Sequence, residues 1–244
     1  MSRPLPQLLL GLGALSVALV AAAALGAGAV GDLRRADDEI EVTGSYKEPV
    51  VSDLATWSIS VGTQGATVQE TFLALRPESE RVRAWLRAAG VADSALTAST
   101  VSTEPMYRVL ENGNQTGEIV GYRLSQYFEV RSRDVRAVTA LSRRVDELVA
   151  AGAPVSAGSP AYLYTRLAEK RTELLARATA DARQRADAIA RAAGSGIGAV
   201  RSARMGVFQI TPRNSVDVSD SGIYDTSSLE KDVTAVVRIS FAVD

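Results

Sequence analysis

Three stretches of the chain alternate apolar and polar side chains residue by residue, the period of a strand with one buried face. Ala55, Trp57, Ile59 and Val61 alternate with Thr56, Ser58 and Ser60. Tyr122, Leu124, Gln126, Phe128 and Val130 oppose Arg123, Ser125, Tyr127, Glu129 and Arg131, and Ala235, Val237, Ile239, Phe241 and Val243 oppose Thr234, Val236, Arg238, Ser240 and Ala242. Such patterns predict half-buried antiparallel strands. Ile40, Val42 and Gly44 open another, and residues 97–109, 155–164 and 200–210 are weaker strand candidates.

Three further stretches follow the helical period. Val68, Phe72, Leu75, Val82 and Leu86 recur at three- and four-residue steps behind Thr67-x-x-Glu70, a capping box. Pro77 is expected to kink or divide this helix, because proline removes a backbone donor and crowds the preceding turn. Val135, Val138, Leu141, Val145 and Leu148 form a second stripe with Asp134 placed to cap it. Leu167, Leu174, Ala178, Ala182 and Ile189 mark a third, whose small side chains permit close approach to whatever lies beneath. Each helix runs into Ala-Ala-Gly, at Gly90, Gly152 and Gly194, and glycine just past the last turn takes a left-handed conformation without steric penalty. The recurrence suggests repeated strand-helix-strand units. Asn112-Gly113-Asn114 reads as a turn, and residues 216–231 as an exposed polar connection. The expected fold class is α+β, antiparallel sheets with helices packed on one face, preceded by one N-terminal transmembrane helix.

That last element rests on residues 8–31, which carry no charged side chain. At ~1.5 Å per residue the run is ~36 Å long as a helix, enough to cross a hydrocarbon core of ~30 Å. Signal peptides usually have an apolar region of only ~7–15 residues, so the segment reads as a transmembrane anchor or an uncleaved signal-like segment. Ala22-Ala23-Ala24 and Ala27-Gly28-Ala29 fit a small-x-small cleavage site, and cleavage with release into the periplasm is the alternative. The layout is then a short tail (residues 1–7), the anchor (8–31), an acidic spacer (32–39) and a domain (40–244), divided into subdomains of about 40–165 and 166–244. Arg34 and Arg35 against Arg3 favour a cytoplasmic carboxyl side by simple count, but long domains cross largely regardless of such charges. The expected location is therefore the inner membrane, single-pass, with the C-terminal domain in the periplasm or extracytoplasmic space.

Composition narrows the chemistry. With 27 Lys and Arg against 28 Asp and Glu the net charge is −1, and the chain lacks the concentrated basic surface that a nucleic-acid partner requires. It contains no cysteine and no histidine, which removes disulfides, thiol nucleophiles, imidazole bases and the usual zinc and haem ligands. Three methionines offer little capacity for scavenging peroxide.

Several motifs invite a functional reading and each has a plainer one. Gly26-x-Gly28-x-x-Gly31 matches a dinucleotide fingerprint but sits inside the apolar run, without a preceding strand. Gly194, Gly196 and Gly198 follow a helix where a phosphate loop would precede one, so a helix stop explains them better. Ser228-x-x-Lys231 matches S-x-x-K without the companion elements of a β-lactamase-like site, and reads as a loop leading into the last strand. Asp217, Asp220 and Asp225 lack the spacing of a calcium loop. Asp181, Arg183, Arg185 and Asp187 offer guanidinium forks to an anion, or an ion-paired exposed helical face. Tyr122, Tyr127, Tyr162 and Tyr164 with Phe128 line a pocket or subunit contact in one reading and pack the sheet in the other. No catalytic, cofactor-binding or metal-binding residue is assigned, and no cofactor.

Gly121-Tyr122-Arg123, Val130-Arg131, Asp134 and Gly152-Ala153 together resemble the SIMPL domain family, a domain of unknown function in bacterial envelope proteins. The resemblance extends to Ile40-x-Val42-x-Gly44, Asp53-x-Ala55, and Ala178-x-x-Asp181-Ala182-Arg183 with Ala186, Ala190, Ala193-Gly194 and Gly198, and it covers roughly residues 40–243. It implies an exported protein of the periplasm or cell surface with two α+β subdomains and a tendency to assemble into rings. Family members include periplasmic immunogenic proteins and oxidative-stress defence proteins, and the family name records a kinase-binding role in an animal member. The family supplies no catalytic residues to carry over. Tyr162-Leu163-Tyr164-Thr165 and the polar segment before the final strand depart from its pattern. The function expected is a membrane-anchored, envelope-facing SIMPL protein without enzymatic activity, acting through an envelope protein partner or as a homo-oligomer in envelope maintenance or stress tolerance. Two alternatives are a periplasmic small-molecule-binding module that holds an anionic or amphipathic ligand through aromatic and arginine side chains, and a hydrolase using carboxylates or Ser228.

Overall fold

The computed structural model describes residues 38–244, so the apolar run 8–31, its glycine motif and the spacer up to residue 37 lie outside the described residues. Among the described residues no helix is long and apolar enough to cross a membrane. The element order is β1 (Glu39–Val51), β2 (Leu54–Gly65), α1 (Val68–Ala88), a 3-10 turn (Asp93–Ala95), β3 (Leu96–Ala98), β4 (Ser102–Val109), β5 (Gln115–Ser132), α2 (Val135–Arg143), α3 (Asp146–Ala150), β6 (Val155–Ala157), β7 (Ala161–Leu163), α4 (Leu167–Ala192), β8 (Ile197–Met205), β9 (Gln209–Pro212) and β10 (Glu230–Val243). The period-2 stretches are β2, β5 and β10, and the weaker strand candidates each resolve into two strands.

The described residues form two compact units that interleave in sequence. One comprises the residues up to Tyr46, Thr172–Val207 and Ala235–Asp244, and the other Lys47–Arg171 and Phe208–Thr234. Their borders fall inside β1, α4 and β10, each an unbroken run of residues with no linker composition, and between β8 and β9.

In the larger unit β2 and β5 pair antiparallel from Ala55 opposite Ser132 to Gly65 opposite Tyr122. The strand order is β3-β5-β2-β6, with β4 also along β5 and β7 also along β2. Alternation places Ala55, Trp57, Ile59 and Val61 of β2, and Leu124, Phe128 and Val130 of β5, on one face at 0–1% exposure. Leu75, Val82 and Leu86 of α1 and Val135, Val138 and Leu141 of α2 close over that face, so the helices pack on one side of the sheet. Complete burial of an aliphatic or aromatic side chain of this kind contributes about 1.5–3 kcal/mol, which makes this layer the main source of stability.

Two helical details differ from expectation, and a third is narrowed to one of its alternatives. Pro77 lies inside α1 without dividing it. It is exposed, and so is Leu73, whose carbonyl has no N–H to meet at Pro77. Val68 and Phe72, expected in the buried stripe, are 41% and 45% exposed, because the row that meets the sheet runs through Thr71, Leu75, Val82 and Leu86. The second stripe is two helices, since Arg144 takes φ −90° and ψ 0° and its N–H turns to Leu141 O in a tighter 3-10 bond. The Thr67 and Asp134 side chains cap α1 and α2 through the N–H groups of Glu70 and Ala137, at 3.2 and 2.9 Å.

In the smaller unit the strand order is β1-β10-β8, with β10 and β8 antiparallel. Its buried side chains are Val42, Ala235, Val237, Ile239 and Phe241 from the strands and Leu174, Ala178, Ala182, Ala186 and Ala190 from α4. Ile189, expected in the stripe, is half exposed, because alanines spaced by four keep one row of the helix against the sheet. The glycines that follow α1, α3 and α4 have φ of 89°, 79° and 79° at Gly90, Gly152 and Gly194, the left-handed helix stop that the sequence predicts.

Candidate functional site

Most of the motif residues turn out to hold the fold together. Lys231 is fully buried at the start of β10, and its Nζ lies 2.7 Å from both Asp225 Oδ2 and the Asp225 carbonyl oxygen. Ser228 meets Asp225 through its backbone N–H at 3.2 Å, while Ser227 donates through both its N–H and its hydroxyl. Burial opposes the Asp225 charge, but Lys231, Ser227 and Ser228 outweigh it and hold this carboxyl well below the usual carboxylate range. The S-x-x-K spacing therefore joins a lysine to an aspartate, and the Ser228 carbonyl accepts the Ser52 hydroxyl at 3.4 Å. The polar connection is exposed in its first part, where Val216 and Val218 are 90% and 80% accessible, and drawn in at its end, where Leu229 packs on the core and Lys231 is buried.

The calcium candidates are dispersed in role. Asp217 accepts the Ser215 hydroxyl at 2.8 Å and Asp225 belongs to Lys231. Among the described residues no three His, Cys, Asp or Glu side chains gather as a metal site would need. On α4, Asp181 accepts the Ser45 N–H at 2.8 Å and pairs with Arg185 at 2.9 Å, and Asp187 pairs with Arg191. Burial opposes ionisation of Asp181, yet the Ser45 and Arg185 bonds win and lower its pKa. Gly194 ends α4, and Gly196 exchanges backbone hydrogen bonds with Asp244, so the glycine cluster shapes a helix exit.

The aromatic residues do not converge. Phe128 is core, Tyr162 packs against it with its hydroxyl 3.0 Å from Thr139 Oγ1, and Tyr164 is buried with its carbonyl receiving the Tyr224 hydroxyl at 3.1 Å. Tyr127 is 53% exposed.

The unusual surface lies elsewhere, on the β4–β5 hairpin. β2 ends at Gly65, opposite Tyr122, so residues 115–121 of β5 continue with β4 as their sheet neighbour. A Cβ at Gly121 would lie 2.8 Å from the Gly65 carbonyl oxygen, so only glycine fits where β5 passes the end of β2. The ribbon closes at Gly113, whose φ of 82° completes the Asn112-Gly113-Asn114 turn, with Leu110 N–H bonded to Asn114 O at 2.9 Å. One face carries the Arg108–Glu118 pair at 2.7 Å. Tyr107 pairs with Ile119, and Tyr107, Val109, Leu110, Ile119 and Val120 are 39–58% exposed. A two-stranded ribbon has no second layer beneath it and leaves such side chains in water. The sequence predicts the turn and a weak strand up to residue 109, and the alternation that marks β5 begins only at Tyr122, leaving residues 115–121 without a predicted element.

The family model for SIMPL, described as a protein of unknown function (DUF541), matches residues 40–241. The chain belongs to the SIMPL family. The 26 kDa periplasmic immunogenic protein of Brucella melitensis is 30% identical over 164 residues, which are 66% of this chain and 64% of that protein. The protein of the same name from Brucella abortus strain S19 matches with the same identity and coverage. The chain thus spans 64% of the length of these curated relatives. The SIMPL-like motifs have structural explanations here: Gly44 meets Ala178 and Ala182, Asp181 holds Ser45, and Asp53 accepts the Thr165 N–H at 2.8 Å and its hydroxyl at 3.0 Å.

Proposed function

We propose that this SIMPL protein works outside the cytoplasm, tethered to the inner membrane by its apolar N-terminal segment as a single-pass protein, and acts without catalysis through contacts with further copies or another envelope protein. Its role is envelope maintenance or stress tolerance. The apolar β4–β5 ribbon carries this reading, because five large side chains on a ribbon with no layer beneath gain most by meeting a second surface. The periplasmic designation of the Brucella relatives supports the location. The engagement of Lys231 by Asp225 supports a non-catalytic reading of Ser228, which has no free base at its shoulder.

Protease accessibility of the full chain in intact and permeabilised cells, followed with an antibody to the carboxyl terminus, tests the location. The expected result is loss of the carboxyl-terminal epitope as soon as the outer barrier is opened, with the inner membrane still intact. Digestion that requires breaching the inner membrane overturns the assignment.

A further inference from the structure

One cleft in the larger unit is independent of the ribbon. It has a volume of about 420 Å³ and lies along α1, lined by Phe72, Leu75, Arg76, Ser79, Glu80 and Arg83, with Val101 and Gln126 opposite. Phe72, Arg76, Ser79 and Arg83 follow one another at steps of four, three and four, which places them on one row of the helix. Leu75, 1% exposed, supplies an apolar floor, and Gln126 is fixed by its side-chain amide, which donates to Ser99 O at 2.8 Å.

Two observations give the cleft a chemical preference. Arg83 stands 5.8 Å above the Phe128 ring and, among the described residues, has no carboxylate partner. Arg76 pairs with Glu80 at 3.3 Å, but both side chains are about 70% exposed, so that pair is weak and readily exchanged. Apolar walls at Phe72, Leu75 and Val101 thus adjoin two guanidinium groups.

We propose that this cleft binds a single-chain anionic amphiphile, its hydrocarbon against Phe72, Leu75 and Val101 and its carboxylate or phosphate between Arg76 and Arg83. Guanidinium groups favour such a head because they present paired donors to two oxygens at once. The volume falls at the small end of the ~300–1,000 Å³ range of ligand sites, which suits one chain and not a two-chain lipid. The site requires no self-assembly, so the proposal stands or falls separately from the contact role of the ribbon.

The test is photolabelling of the full chain with a diazirine analogue of decanoate that keeps its carboxylate, followed by peptide mapping. Adducts are expected within residues 72–83 and beside Val101. Excess decanoate should displace them, decyltrimethylammonium should not, and Arg83→Glu should lower labelling about tenfold or more while the melting temperature is unchanged. Adducts spread over other segments, equal displacement by the cationic amphiphile, or full labelling of Arg83→Glu each overturn the proposal. Stronger displacement by phosphatidylglycerol vesicles than by phosphatidylcholine vesicles, at concentrations where decanoate fails, overturns the single-chain assignment.

Discussion

Gly44 on β1 lies directly against the backbone of α4 at Ala182. A Cβ built on Gly44 would stand 2.6 Å from the Ala182 Cβ, 2.5 Å from the Ala182 nitrogen, and closer still to the Ala178 carbonyl oxygen. Neither neighbour is the flexible end of a side chain, so the helix itself has to move. The Ser45 N–H bond to Asp181 at 2.8 Å fixes the same crossing one residue further on. Gly44→Ala is therefore expected to destabilise the protein by about 1–3 kcal/mol, the usual range for overpacking a closed contact. Urea unfolding of wild type and variant measures it, and an unchanged midpoint would show that α4 does not rest on Gly44.

The Lys231–Asp225 pair makes a prediction about acid. The Asp225 pKa is depressed in the folded protein, so the unfolded chain binds more protons here once the pH nears the ordinary carboxylate value of about 3.9. The stability this group adds is fully present above that value and is lost as pH falls through the folded pKa. Asp225→Asn removes this part of the acid dependence, so the stability gap between wild type and variant should narrow as pH is lowered from 7 to 3. Lys231→Ala leaves a carboxylate with 7% side-chain exposure and no cation, and a loss of about 3–5 kcal/mol is expected. A constant gap across the pH series would count against the depressed carboxyl.

Asp53 shows what a short sequence motif hides. Its carboxylate accepts the Thr165 N–H and hydroxyl at 2.8 and 3.0 Å and the Arg166 Nε at 3.2 Å, tying the start of β2 to the residues that lead into α4. Asp53→Ala is expected to lose about 1–3 kcal/mol, because a backbone donor and a hydroxyl lose a charged acceptor together. Asp53→Asn keeps an acceptor oxygen and should lose less. Thermal melts of the two variants settle the order, and equal losses would mean that charge, not geometry, dominates.

The strands and helix stops were legible because they depend on local rules. Period-2 burial predicts Trp57 and Phe128 in the core, and a left-handed glycine after Ala-Ala works at Gly90, Gly152 and Gly194 whatever surrounds it. The interleaved division was not legible, since β1, α4 and β10 cross its borders without a break in composition. Burial of Lys231 was also hidden: a lysine in a polar segment reads as solvated until its partner six residues earlier is seen to fold back on it. The α1 cleft is not legible in the sequence, because Arg76, Ser79 and Arg83 have the pattern of an ordinary wet helix face, and only the tertiary placement of Val101 and Gln126 turns that face into a wall. The β4–β5 ribbon was half legible, as a turn without its exposed flanks.

Those flanks give the final prediction. Tyr107 and Ile119 are cross-strand partners on the β4–β5 ribbon, 39% and 46% exposed, with Val109 at 58% beside them. Ile119→Lys places an ammonium group in the middle of this apolar patch and disturbs no buried packing, so the melting temperature should stay within about 2 °C of wild type, as for most surface substitutions. If the ribbon joins copies of the chain, the same substitution buries an unpaired charge in the contact and should weaken association by tenfold or more, about 1.4 kcal/mol. Light scattering of the full chain over a concentration series reads the difference. A conservative Ile119→Val should retain association, which separates loss of the contact from loss of a particular side-chain shape. Equal association of the lysine variant and wild type would remove the ribbon from the assembly surface.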